Sequence, residues 1–425
     1  MRRKIFLSIF NLTRAMKEFD ERYEEHLRRI YKWNVFGLVL SWVIWAPFQY
    51  MAHPYFQLYA KELGATPVII AVISFVSTIT LGFSRLVGGY VADKYGRKKI
   101  VVYMTALVSS SYLIYAFSPD WTWLVIGAFL SSVALMYQPA LWSLMSDSTP
   151  KEKRGKIFSL YNFLPSIISS FSPFLAIYLI SRYTLVPAIR LAYLLTFFSG
   201  MTVVVIRAIF LKETLLREES LENKHLSFKE GYKKALSFIK EHLIYLLLID
   251  VIISVAASMS FLTAYYSVYF LGIDEITWGY IYIVSGFLGI LVTLPSGFFI
   301  DKIGRKPIII VSAVSQLFGD FLLFITPYIT TSPFISTLIA VSLTSIGFSI
   351  WFIVINAITT DLTPLEFRGR INSIIGLIIN ITASITTLAA GAIYSFIGPN
   401  IPYLVATVTL MFSILLIVLK MPETK

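Results

Sequence analysis

Apolar residues run through the chain in long segments, interrupted at regular intervals by short polar, glycine or proline clusters. Two stretches, 1–32 and 212–241, carry too much charge to belong to the apolar segments. Before the central charged stretch the interruptions fall at Gly64–Pro67, Asp93–Lys99, Pro119–Asp120, Asp147–Lys156 and Arg182–Pro187. After it they fall at Gly272–Thr277, Asp301–Pro307, Pro327–Pro333, Asp361–Arg370 and Gly398–Pro402. Six segments therefore lie on each side of 212–241, each with about 30 residues for a bilayer-crossing helix of roughly 20 and its share of loop. The pattern predicts an all-α polytopic membrane protein with twelve transmembrane helices, numbered 1 to 12 in this order. Its parts are a segment 1–32, a six-helix bundle 33–211, a linker 212–241, a second bundle 242–420 and a tail 421–425.

The charged stretches have their own periodicity. Ile5, Ile9, Leu12, Met16, Phe19, Tyr23, Leu27 and Ile30 recur in steps of three and four, which predicts an amphipathic helix on the anionic surface of the membrane. Ile5–Phe10 is too short an apolar run for a signal peptide, and Arg14 and Lys17 follow it. In the linker, Ser227 and Glu230 stand at capping-box spacing before an apolar face of Phe228, Tyr232, Leu236 and Ile239.

Composition narrows the class. The 14% of charged residues, against about 25% in soluble domains, is too little to cover a water-soluble particle that is 57% hydrophobic. The absence of cysteine excludes thiolate nucleophiles, disulfides and thiolate metal sites. A net charge of +12 would suggest nucleic acid in a soluble protein. Here 31 of the 36 basic residues fall in 1–32, in 212–241, in alternate loops or at Lys420 and Lys425, which puts both termini and those loops on the cytoplasmic side of the cell membrane. No nucleic-acid partner is needed to explain the charge.

The same loops contain an internal repeat. Gly89, Asp93, Lys94, Gly96, Arg97 and Lys98 recur as Gly297, Asp301, Lys302, Gly304, Arg305 and Lys306, 208 positions later. Asp147-Ser-Thr-Pro, followed by Arg154 and Gly155, recurs 214 positions later as Asp361-Leu-Thr-Pro, followed by Arg368 and Gly369. Two motifs repeated in one order identify the halves as duplicates. Gly89 and Gly297 free space for a close helix approach, and an acid four residues on shares their face. Gly96 and Gly304 permit a tight turn, and Arg97 and Arg305 offer forked partners to Asp147 and Asp361. Such pairs, made on the cytoplasmic side and broken on opening, would latch one conformation.

The repeated pattern resembles the signature of the major facilitator superfamily of secondary transporters, Gly-x-x-x-Asp-(Arg/Lys)-x-Gly-Arg-(Arg/Lys), and the resemblance runs from Trp33 to Lys420. It implies two six-helix bundles that rock about a central cavity, with helices 1, 4, 7 and 10 lining it and helices 2, 5, 8 and 11 at the bundle interface. It also implies that Asp93 faces the start of helix 11 near Gly369, and Asp301 the start of helix 5 near Gly155.

On the implied cavity helices, polar and aromatic residues share faces. They give substrate candidates Trp45, Gln49, His53, Gln138, Trp142, Asn162, Ser254, Ser258, Tyr265, Trp351, Asn356 and Asn380. Polar groups facing lipid are costly, so these faces point inward. The hydroxyls and amides serve either a ligand or helix packing, and Trp45, Trp142 and Trp351 either form an aromatic wall or pack the core. Intramembrane ionisable groups are rarer. Asp250 in helix 7 and Asp320 in helix 9 are candidate proton carriers, each with a purely structural pairing as the alternative. Arg85 shares the Gly89 and Asp93 face, which suggests an interface with helix 11.

Subfamily marks are thin. Ser172-Pro173-Phe-Leu-Ala176 only partly matches the helix-5 pattern of the family's drug/proton antiporters, and the sugar-porter stretch after helix 6 is absent, with Leu211-Lys-Glu213-Thr214 in its place. The sequence favours a proton-coupled antiporter exporting drugs or amphiphiles as a monomer, without cofactor or metal. Proton-coupled uptake of a small metabolite such as a sugar or organic acid is the alternative. No nucleotide-binding, zinc-hydrolase or serine-hydrolase motif supports a membrane enzyme, and a channel does not call for a duplicated latch.

Overall fold

Proline, glycine and capping side chains set where the apolar helices begin and end. A computed structural model of the protein describes residues 30–149, 154–214, 228–329, 332–363 and 368–421. The segment 1–29, with most of the expected surface helix, and Ser227 of the expected capping box lie outside the described residues. Among the described residues, twelve helices are long and apolar enough to cross a membrane. They are α1 (Ile30–Glu62), α2 (Pro67–Tyr95), α3 (Arg97–Ala116), α4 (Trp121–Asp147), α5 (Arg154–Ser170 continued by Ser172–Tyr183) and α6 (Leu185–Phe210) in the first half. The second half comprises α7 (Tyr232–Phe270, entered from Phe228–Phe238), α8 (Glu275–Ile303), α9 (Arg305–Ile329), α10 (Pro333–Leu362), α11 (Arg368–Phe396) and α12 (Ile401–Lys420).

The duplication is visible in the helix ends. α2 and α8 are both 29 residues long, open on capping side chains of Thr66 and Asp274, and close on Gly96 and Gly304. α1 and α7 both break into a 3₁₀ turn at matching places, His53–Tyr55 and Ser260–Leu262. The halves differ in α4 and α5, which break at Leu135–Tyr137 and Phe171, whereas α10 and α11 run unbroken.

The linker helix is not separate from the membrane helix that follows. Phe228–Phe238 passes through a π turn at Ile239–Leu243 straight into Ile244–Met259. Its buried line is Ala235, Ile239 and Leu243, while Leu236, expected on the apolar face, is exposed.

Among the described residues, three apolar cores hold the molecule together. One fills the first half around Trp45, Val101 and Leu144, and one fills the second half around Ile253, Val354 and Leu410. The third joins the halves, with Tyr55 and Ile177 of the first packing near Tyr266 and Trp278 of the second. Packing between the halves runs along α2 and α11, and between α5 and α8 mainly through the Ser172–Tyr183 piece of α5. The end of the bundles carrying Asp93–Lys98 and Asp301–Lys306 is called the motif face here, and the opposite end the far face.

Candidate translocation path

At the motif face, Gly96 and Gly304 take φ of +99° and +97° and return their N–H groups to Ala92 O (2.9 Å) and Ile300 O (3.1 Å). That backbone favours glycine, which is why both copies of the motif need one at this position. Arg97 then forms an ion pair with Asp147 and donates to Thr214 Oγ1 at 3.4 Å. Glu213 Oε2 accepts the Lys98 N–H at 3.0 Å. Asn34 Nδ2 donates to Ser148 Oγ at 2.7 Å, and the Lys212 N–H donates to Asn34 Oδ1 at 2.6 Å. These bonds knit the starts of α1 and α3, the end of α4 and residues 211–214 together.

The expected Arg97–Asp147 pair thus exists, and because both partners belong to the first bundle the pair itself holds a corner of that bundle together. One expectation is corrected. A Cβ at Gly89 would meet nothing closer than Pro139 Cβ at 4.0 Å, whereas one at Gly88 would lie 1.9 Å from Met136 O. Gly88, not Gly89, is where α2 and α4 approach closely. Lys94 Nζ lies over the Tyr95 ring (5.2 Å) and Lys306 Nζ donates to Val418 O (2.9 Å). The side chains of Asp93, Arg154, Asn162, Asp301, Asp361 and Arg368, and the surroundings of Gly155, Gly297 and Gly369, lie outside the described part of the structure.

The far face is shut by contacts between the halves. His53 Nδ1 and Tyr282 OH are 3.2 Å apart, Trp278 Nε1 donates to Pro54 O at 2.9 Å, and Tyr269 OH donates to Glu62 Oε1 at 2.8 Å. Gln57 makes a distinct contact. Its Nε2 donates to Phe261 O and its Oε1 accepts the Tyr265 N–H at 3.1 Å. These two backbone groups are partners in an uninterrupted α-helix, so a side chain of α1 is spliced into the hydrogen-bond ladder of α7, a recognised cause of a helix break.

Behind this closure lie two cavities that share Tyr282 and Gly286. One, of about 210 Å³, lies between the halves and is bounded by Tyr50, Ser169, Ser170 and Pro173 together with α8. The other, of about 310 Å³, lies within the second half between α7, α8, α9 and α10, and Ser260, Gln316, Asp320 and Phe348 line it. Asp320 is 3% exposed and accepts a hydrogen bond from Ser260 Oγ at 2.7 Å. α9 thus brings its carboxylate to a cavity.

The candidates from the sequence separate into several places. Trp45 is fully buried in the first half, with Arg207 lying 5.6 Å over its ring, and Trp142 is exposed. Trp351 packs on Phe348 in the second half with its Nε1 buried and unpartnered among the described residues. The three do not form one aromatic wall. Gln138 Oε1 accepts from Arg85 Nε at 2.8 Å, so Arg85 is engaged with α4 rather than α11 as expected. Asn380 stands against α2, 3.1 Å from where a Cβ of Gly82 would be, and Asn356 donates to Phe352 O of its own helix (2.6 Å). Ser254 and Tyr265 are buried, Ser258 is half-buried, and Gln49 keeps a buried, unpartnered Oε1 among the described residues. Asp250 is buried with Oδ1 unpartnered among the described residues. Sequence reasoning missed Gln57, Glu213, Tyr282 and Gly286; Gln57 continues the four-residue spacing of Trp45, Gln49 and His53 on helix 1, a signal that could have found it, whereas the other three belong to no repeated motif and to no stripe on helices 1, 4, 7 or 10. No cluster of three metal-ligating side chains occurs among the described residues.

Comparison with known proteins agrees with this architecture. A family model described as Major Facilitator Superfamily matches residues 35–335 and 247–425. An uncharacterized MFS-type transporter of Methanocaldococcus jannaschii is 23% identical over 350 residues, covering 81% of this chain and 87% of its own. A Na(+), Li(+), K(+)/H(+) antiporter of Planococcus maritimus is 27% identical over 125 residues, 28% of each chain. Among solved structures, a point mutant of the nucleoside transporter NupG superposes with a TM-score of 0.70 at 13% identity, covering 92% of this chain and 98% of that one, which speaks to the fold alone.

Proposed function

The chain belongs to the major facilitator superfamily, and on that premise we propose that it is a proton-coupled antiporter that exports hydrophobic or amphiphilic compounds across the cell membrane by alternating access. The motif face is cytoplasmic in this reading, in keeping with the distribution of basic residues, and the far face is the closed outer gate. One observation carries the coupling: Asp250 is a carboxylate buried inside a bundle with an oxygen left unpartnered among the described residues, in a position where ionisation is costly and proton uptake relieves the cost. The partial match to a cation/proton antiporter supports the same chemistry. Apolar and aromatic walls beside scattered hydroxyls in both cavities support an amphiphilic cargo. Asp93 and Asp301, at the ends of α2 and α8, act as the conformational latches between halves that the Arg97 pair is not. The protein works as a monomer.

Reconstitution tests this reading. Proteoliposomes with an imposed pH gradient should show saturable, gradient-driven movement of fluorescent amphiphiles opposite to the proton flow. In Asp250→Asn, uphill accumulation should be lost while gradient-free exchange persists. Unchanged uphill accumulation in that variant would clear Asp250 of the role. Cargo that moves with the protons instead of against them would make the protein an importer.

A further inference from the structure

The 310 Å³ chamber of the second half differs from the space between the halves in that its boundary lies within one bundle and includes a buried charge. Asp320 is the one charged side chain among the described residues that line it. A carboxylate at membrane depth needs a compensating positive partner or a proton, and no lysine, arginine or histidine among those lining residues provides the former. Ser260 Oγ covers one carboxylate oxygen, and Gln316 with further hydroxyls adds polar lining around it. The remaining wall is apolar or aromatic, including Ala257, Val341 and Phe348.

We propose that this chamber is a binding site for the ammonium end of a compact organic amine, with Asp320 as its counter-ion, Phe348 and Tyr282 as ring faces for the cation, and the carbon wall for the amine's apolar body. The proposal deepens the export reading above by naming the cargo class, and it rests on that reading. An ammonium group beside a carboxylate and an aromatic face gains both ion pairing and cation–π attraction. The size fits as well, since about 310 Å³ is at the lower end of the 300–1,000 Å³ typical of small-molecule sites. A bare alkali ion would need a close cage of oxygen ligands, whereas much of this wall is carbon.

The mouth is as informative as the floor. Gly286 and Tyr282 line both cavities, so cargo between the halves enters the chamber past them, and Tyr282 OH is also the group that meets His53 at the far-face closure. A Cβ on Gly286 would meet nothing within 4 Å, so a larger side chain there fills the passage without displacing the fold.

The test is equilibrium binding to the purified full-length protein in detergent, with no ion gradient. 2-Phenylethylammonium should raise the unfolding temperature saturably, and its neutral counterpart 2-phenylethanol should bind at least tenfold more weakly. Asp320→Asn should weaken ammonium binding at least tenfold. Gly286→Leu, which leaves the carboxylate in place, should do the same, so a folding defect in Asp320→Asn does not decide the matter. Equal binding of the alcohol, or undiminished binding in both variants, would overturn the proposal. Chloride salts of sodium, lithium or potassium that produce the whole shift and displace the amine would make the chamber an inorganic cation site and overturn it too. Because binding here needs no proton gradient, its failure leaves proton-driven export standing, and loss of export leaves this binding unchanged.

Discussion

At the scale of single residues, glycine has different jobs at neighbouring positions. Gly96 and Gly304 are required by a backbone that side chains adopt at a cost of roughly 1–3 kcal/mol, and a Cβ on Gly96 would in addition sit 2.9 Å from Glu213 Oε2. Gly88 is required by a neighbour, while Gly89 has room to spare. Gly88→Ala should therefore lower the thermal midpoint markedly, by the overpacking typical of about 1–3 kcal/mol, and Gly89→Ala should cost much less. Comparable melting of the two variants would return the packing role to Gly89. The sequence exposes the tight turns because the motif is duplicated, but it cannot tell Gly88 from Gly89, since only the position of Met136 on α4 separates them. The ion pair of Arg97 with Asp147 is legible as well, since both stand at helix ends within the one predicted bundle 33–211. Asp320 shows the opposite case: its type and depth are legible, whereas the chamber it lines is assembled from four helices and has no local signature.

At the scale of elements, helix starts follow simple capping chemistry. Asp274 caps α8 by accepting the Thr277 N–H at 2.9 Å, and Asp120 caps α4 by accepting the Thr122 N–H at 2.8 Å. Slight burial opposes ionisation of Asp274, but the bonds from the Thr277 hydroxyl and amide outweigh it and lower its pKa below the ordinary 3.8. The Thr122 hydroxyl and amide lower that of Asp120. A carboxylate whose folded pKa is depressed stabilises the fold above its ordinary pKa and loses that contribution as pH falls through the folded value. Asp274→Ala should thus cost on the order of 1 kcal/mol at neutral pH, with the difference from the parent shrinking below pH about 4. Thermal melts at several pH values check this, and a penalty that stays constant into acid would rule out the cap. Helix number is legible because a bilayer demands long apolar runs with charged breaks. The continuity of the linker helix with α7 is not, because its π turn at Ile239–Leu243 follows from tertiary packing rather than from any breaker residue.

At the scale of the whole molecule, duplication gives two bundles and the far-face contacts hold them in one of two arrangements. Transport through the far face requires those contacts to part. A Cβ at Gly279 would clash with Tyr55 OH and lie 2.7 Å from Ile177 Cγ1, both in the other half, so a side chain there opposes the closed arrangement. The chain contains no cysteine, so a single introduced thiol reports without background. Gly279→Ala should hold the far face apart, and a thiol at Ile177→Cys, a position 7% exposed when the face is closed, should react faster with a water-soluble maleimide in that variant. Equal reactivity with and without Gly279→Ala would mean that Gly279 does not seat the closure. The closed arrangement itself is not legible in the sequence, since apolar pattern and repeats determine which helices pair but not which end of the pair is apart. Gln57 gives the closure a further property. When the halves separate and its amide withdraws, Tyr265 N–H and Phe261 C=O come free together, and each is the other's natural partner in a regular helix. The backbone of α7 then heals across the gap instead of entering the open state with two unmet groups. Opening becomes an exchange of partners with little net change in backbone bonding, so at this point the far face is not held shut by its backbone hydrogen bonds.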